Sequence, residues 1–299
     1  MMQISDNLRG AGLMSGSMVA FVANDAFMKL VLVDIPLFQA VFLRGAGTVA
    51  CLVILALFLG QFRFGFGRKD WLLVGVRSAV EVGGTACFLT ALIHMPIANV
   101  SAVLQALPLT VSLAAAVFLR EALGWRRLLA ILVGFVGVFL IIRPGPDGFS
   151  VYSVYALGAV ACVTVRDLVV RRMSRDIPSI MVGLMAAIAV MLAGGIVTLT
   201  QVWVPVDATN MFQIGGAMVF IVFGYIFSVA AMRMGDIGFV APFRYASLIA
   251  ALVLGWAVFG NWPTPLTLTG AAIVVGTGLF TLYRERALGP KRPLSPRLR

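Results

Sequence analysis

Eight ionisable side chains stand inside otherwise apolar stretches of this 299-residue sequence: Asp25, Lys29, Arg44, Arg77, Glu81, Arg166, Asp167 and Arg244. A charge at the centre of a hydrocarbon layer costs about 2.5–3.5 kcal/mol on insertion scales, so each needs a partner, a ligand or a route to water. Asp25 with Lys29, and Arg77 with Glu81, have the i,i+4 spacing that shares one helix face. Arg166 and Asp167 are adjacent, so they point about 100° apart on a helix and are expected to find partners elsewhere. Cations outnumber carboxylates in this set. The surplus suits an anionic group such as a carboxylate, which a guanidinium grips through two hydrogen bonds. The structural reading beside it is salt bridges between helices, with Lys29, Arg77, Arg166 and Arg244 close enough to an interface to snorkel.

Depth and the lack of an obvious local partner single out Asp25, Arg44, Glu81 and Arg244 as candidate substrate-binding residues. Asn24, Gln105, Tyr225 and Tyr245 join them, because they hydrogen-bond without the cost of a full charge. Asp25 and Glu81 are also candidate proton-coupling groups, since burial and a nearby arginine pull a carboxylate's protonation in opposite senses. Pro108 and Pro242 interrupt two apolar runs; each frees a backbone carbonyl and offers a bend for gating. His94, the sole histidine, reads as an interfacial polar residue. No metal or cofactor is expected: Cys51, Cys87 and Cys162 show no CxxC spacing and read as packing residues.

The elements that must position these groups are ten apolar runs, at about 11–33, 36–59, 71–94, 96–119, 124–142, 151–172, 178–201, 212–234, 238–260 and 263–283. Each is about the twenty residues that a helix needs to cross a bilayer. Composition agrees: 61% hydrophobic, 12% charged and a mean hydropathy of +1.02. The fold class is therefore an all-α polytopic membrane protein. The first run is too long for a cleavable signal and carries Asn24-Asp25 in its middle, so it reads as a permanent helix. The net charge of +11 points to lipid rather than nucleic acid, because the cations fall in alternate inter-span segments. Arg63, Arg68 and Lys69 lie in one, Arg120, Arg126 and Arg127 in the next, and Arg171, Arg172 and Arg175 in a third. The positive-inside rule then places both termini in the cytoplasm. The basic tail, 285–299, reads as disordered and lipid-associated.

A shift of 140 residues lays Ala91–Val100 on Ala231–Val240, each a helix end, a very short turn and a new helix. It also lays Gln105 on Tyr245. The spacing repeats although the letters do not, giving two five-helix halves, 8–143 and 151–284. Five is odd, so the halves enter the membrane from opposite sides, an inverted repeat of the kind found in secondary transporters. Gly12 with Gly16, Gly134 with Gly137, and the series Gly270, Gly276, Gly278 offer small-residue faces for close packing.

The segment Ala91–Val100, the helix ending at Leu119-Arg120-Glu121, Gly134-x-x-Gly137 and the stretch Phe21–Lys29 together resemble the EamA-type branch of the drug/metabolite transporter superfamily. The second half departs from the pattern, with Asn261 in place of the acidic residue and Asp236 in place of the turn proline. The resemblance implies ten helices in a bacterial inner membrane and transport of small metabolites. It also implies a cavity lined mainly by helices one to four and six to nine.

An integral membrane enzyme competes, but the sequence has no HExxH, no GxSxG and no P-loop. The function expected is export of amino acids or related zwitterions and organic acids by alternating access. Uptake or antiport of a larger metabolite, and efflux of cationic drugs, stay open beside it. The expected partners are a small-molecule substrate and the bilayer, with the chain a monomer or homodimer.

Overall fold

The computed structural model describes residues 2–288 apart from 63, 121–123, 143–149, 175–176 and 234–236. Ten stretches are long and apolar enough to cross a membrane, and they coincide with the sequence runs to within a few residues at most ends. Eight are continuous helices: α1 (Met2–Asp34), α2 (Leu37–Phe58), α3 (Arg68–His94), α6 (Trp125–Ile142), α7 (Val151–Arg171), α8 (Ser179–Thr198), α9 (Ala208–Arg233) and α12 (Pro265–Leu288). The last helix runs past residue 285, where the sequence placed the start of the tail; residues 289–299 lie outside the described residues, as do Glu121, Arg143, Arg175 and Asp236.

The other two spans are broken. The fourth splits into α4 (Ile97–Leu104) and α5 (Leu107–Leu119). Pro108 lacks an N–H, and its ring conflicts with the carbonyl four residues back, which belongs to Leu104. The helix accordingly stops at Leu104 and restarts with Pro108 in its first turn. In the ninth span, α10 (Ile237–Val240) leads into a 3-10 turn, Ala241–Tyr245, with Pro242 near its start, and then α11 (Ala246–Phe259). The two interrupted spans also end alike: Arg120 and Gly260, 140 residues apart, both cap their helices in the left-handed conformation.

Side-by-side packing pairs α1 with α9, α3 with α7, α2 with α8, α6 with α12, and α4 with α11. Numbered as spans, these are 1 with 8, 3 with 6, 2 with 7, 5 with 10 and 4 with 9. Exchanging each span for the one five places on leaves the set unchanged, a symmetry consistent with two equivalent halves. Large apolar side chains such as Phe118, Phe139, Leu192 and Ile249 are exposed on the outside, while Asn24, Gln39, Arg44, Arg77 and Gln105 are buried. This is the distribution of a protein solvated by lipid, where backbone and side-chain polar groups are satisfied internally.

Small residues set the tightest seams. A Cβ on Gly137 would come within 2.7 Å of the Gly270 carbonyl oxygen, so α6 and α12 touch backbone to backbone. Gly134 faces Leu109 and Thr277, and Gly16 faces Phe227, but Gly12 and Gly276 have open space. Polar clamps reinforce other seams. The Ser17 hydroxyl donates to the Gly224 carbonyl at 2.7 Å. The Gln39 amide both donates to and accepts from the Val204 backbone, at 2.8 and 3.0 Å.

Lys29 departs from its sequence assignment. It does not pair with Asp25; its ammonium donates to the carbonyls of Leu92 and of Met95, the latter at 2.6 Å, at the end of α3. Those oxygens have no partner within their own helix, and a helix C-terminus is electronegative. Lys29→Met is expected to lower stability by about 1.5–3 kcal/mol, the range for hydrogen bonds to a charged group. Reversible unfolding in mixed micelles measures this; an unchanged midpoint would show that water replaces the cap.

Candidate functional site

Two clusters of charge occupy the interior. In the first, Asn24 on α1 mediates between an acid and a base. Its amide donates to Asp25 Oδ1 at 2.9 Å, and its carbonyl oxygen accepts from Arg44 Nη1 at 3.2 Å. Arg44 is 9% exposed and Asn24 3%, while Asp25 is half-buried. Helix α2 delivers Arg44 one turn before Thr48, whose hydroxyl donates back to the Arg44 carbonyl at 2.9 Å.

The second cluster spans α3 and α7. Glu81 is ion-paired on both sides: Arg77 Nη2 lies 3.7 Å from one oxygen and Arg166 Nη1 3.6 Å from the other. Arg77 also donates to the Val182 carbonyl of α8 at 3.2 Å. Arg166 Nε donates to Asp167 Oδ1 at 3.0 Å, which corrects the expectation that these neighbours must look elsewhere. The arginine side chain is long enough to curl back across the angle that separates adjacent Cβ atoms.

Tyr225 on α9 joins the clusters. It lies within electrostatic range of Glu81, Arg166, Arg77 and Arg44, and its ring stands edge-on to Phe21, with centroids 5.6 Å apart. The assembled set of Asp25, Arg44, Arg77, Glu81, Arg166 and Asp167 contains three cations and three carboxylates. The positive surplus inferred from the sequence disappears, because Lys29 caps α3 and Arg244 is exposed on the 3-10 turn, without an ion-pair partner among the described residues. Arg77, Arg166 and Asp167 were outside the candidate set, yet they complete this network. Their signal was present in Glu81, whose single i,i+4 partner leaves its second oxygen free.

Gln105 and Tyr245 sit at the two helix breaks rather than among the charges. Gln105 Nε2 donates to the Ser247 hydroxyl at 2.7 Å, and Ser247 donates in turn to the Arg244 carbonyl at 3.0 Å. The interrupted fourth and ninth spans are thereby hydrogen-bonded to each other beside Pro108 and Pro242. The buried Tyr245 hydroxyl has no hydrogen-bond partner and faces Gly278, where a Cβ would collide with it. A separate cavity of about 240 Å³, lined by residues including Ala98, Leu252, Pro263 and Leu268, is apolar and carries none of the charged groups.

Ten membrane-length spans among the described residues, apolar outside and enclosing paired charges such as Glu81 of α3 with Arg166 of α7, define a polytopic membrane protein with a polar core. Residues 8–143 match the EamA-like transporter family, and the chain belongs to that family of secondary transporters. It is 31% identical over 212 residues to a riboflavin transporter of Vibrio cholerae, covering 70% of this chain and 71% of the relative. It is 25% identical over 285 residues to an S-adenosylmethionine uptake transporter of Rickettsia conorii, covering 93% and 94%. It is 26% identical over 281 residues to the pseudopaline exporter CntI of Pseudomonas aeruginosa, covering 88% and 94%.

Proposed function

We propose that this chain takes up a neutral, zwitterionic or singly cationic metabolite larger than a simple amino acid across the bacterial inner membrane. The halves 8–143 and 151–284 act as inverted units that alternate access, with both termini in the cytoplasm. The observation that carries the reading is the balanced cluster of three arginines and three carboxylates, drawn from both halves. A site of this kind offers an acid to a cationic group and a base to an anionic one without favouring a net anion. Asn24, Asp25, Arg44, Glu81 and Tyr225 contact the substrate; Gln105 and Tyr245 line the breaks where Pro108 and Pro242 let the spans bend; Arg244 meets the substrate only as the site opens. The S-adenosylmethionine uptake relative supports inward transport, and it and the riboflavin relative support a substrate of vitamin or nucleoside size. They lend no support to the amino-acid export inferred from the sequence.

Outward transport is the second reading, favoured by the exporter among the relatives. Transport in proteoliposomes of known orientation, under an imposed proton gradient, separates the readings and tests the site. Saturable uptake of labelled riboflavin or S-adenosylmethionine is expected, stimulated by an inward proton gradient through Asp25 or Glu81. Asp25→Asn and Arg44→Ala are each expected to cut the rate at least tenfold, the loss typical of removing one charge-assisted hydrogen bond. Undiminished transport of every accepted substrate in both variants would remove the first cluster from the site.

A further inference from the structure

The second cluster leaves one donor and one acceptor unused. Arg77 spends Nη1 on the Val182 carbonyl and turns Nη2 toward Glu81, but its Nε is buried with no hydrogen-bond partner. Glu81 faces Arg166 through Oε1, while its Oε2, 3.7 Å from Arg77 Nη2, is likewise buried and accepts no hydrogen bond. Buried polar atoms of this kind destabilise a protein until something pairs with them. The two residues are one helical turn apart on the same face of α3. One ion pair thus carries an N–H and a carboxylate oxygen that each lack a hydrogen bond.

We propose that Arg77 and Glu81 read the edge of a planar heterocycle that carries an N–H donor next to a carbonyl or ring-nitrogen acceptor. This rests on the transport function proposed above and names the chemical class of its substrate. The acceptor of such a lactam or amidine edge accepts a hydrogen bond from Arg77 Nε–H, and its N–H donates to Glu81 Oε2. An aromatic pair lies on neighbouring helices: Tyr225 of α9, within electrostatic range of both Glu81 and Arg77, stands edge-on to Phe21 of α1. Aromatic rings give a flat ligand a face to lie on while the helix reads its edge. An uncharged ring also leaves the balance of three cations and three carboxylates intact. Both receiving atoms are closed off in this conformation, so the edge is read as α3 and α7 part on the open side of the cycle.

Matched pairs of probes test the assignment with the full-length protein in detergent. Equilibrium binding is compared for riboflavin and 3-methylriboflavin, for uridine and 3-methyluridine, and for adenosine and N6,N6-dimethyladenosine. Each second member keeps the ring and loses the N–H. At least one unmethylated probe is expected to bind, with its methylated partner at least tenfold weaker, because a site built around a hydrogen bond rejects the analogue that lacks it. In Arg77→Lys, which keeps the charge but loses the Nε edge, affinity for the unmethylated probe is expected to fall toward that of its partner. The measurement on the unaltered protein stands whether or not that variant folds. Equal binding within each pair, or no binding of any unmethylated probe, overturns the proposal. If amino acids or S-adenosylmethionine are still transported in that case, only the edge-reading role falls. If nothing is transported, the uptake function falls with it.

Discussion

Glu81→Ala is expected to destabilise the protein by about 2–3 kcal/mol and to abolish transport. Removing one partner of a fully buried ion pair costs about 3–5 kcal/mol, chiefly because the other charge is left uncompensated. Here the loss strands two guanidiniums, those of Arg77 and Arg166, on opposite sides of the same seam. The smaller figure reflects exposure, since the side chains of Arg77, Glu81 and Arg166 are 11%, 20% and 30% exposed. Arg166 also keeps Asp167 at 3.0 Å. The double variant Arg77→Met with Glu81→Met removes a cation and a carboxylate together and leaves Arg166 with Asp167. It is expected to be more stable than Glu81→Ala alone, although equally inactive. Reversible unfolding in mixed micelles reads the stabilities, and a single variant as stable as the double one would mean that Glu81 neutralises neither arginine.

The second large effect belongs to the α6–α12 seam. A Cβ on Gly270 would fall 2.5 Å from the Gly137 carbonyl oxygen, and one on Gly137 2.7 Å from the Gly270 carbonyl oxygen. Neither obstacle is the end of a flexible side chain, so relief requires that the helices move apart. Gly270→Ala is expected to cost about 2 kcal/mol and Gly270→Val more than about 3 kcal/mol, the upper range for overpacking. Gly276→Ala, six residues along the same helix with nothing within 4 Å of the new methyl, is expected to be neutral or slightly stabilising, because alanine is the better helix former. Thermal unfolding of the three variants side by side measures the contrast. Equal midpoints for the two alanine variants would contradict the backbone contact.

The spans were legible because their length and apolarity answer to one physical constraint, the thickness of the bilayer. The break in the fourth span was legible for a similar reason, since a proline's missing N–H and its clash are local. Pairings were legible only where they are local too: Arg77 with Glu81 follows from helical spacing. Lys29 with the end of α3 does not, because its acceptors are backbone oxygens more than sixty residues away and a sequence displays every carbonyl alike. The same holds for Gln39, which clamps the backbone of Val204 across 165 residues. Gly12 and Gly270 look equivalent as letters, yet only one meets a neighbour. What faces what across a seam depends on helix rotation, and a low-contrast apolar surface leaves that rotation unmarked.

The equality of three cations and three carboxylates has an electrical consequence. Moving one elementary charge through a membrane potential takes about 2.3 kcal/mol per 100 mV. An unoccupied carrier whose polar core sums to zero changes its facing without that work. In the cycle proposed above, with all six groups ionised, the return step is expected to be insensitive to voltage, and any current that accompanies transport is expected to be carried by the cargo and by whatever ion travels with it.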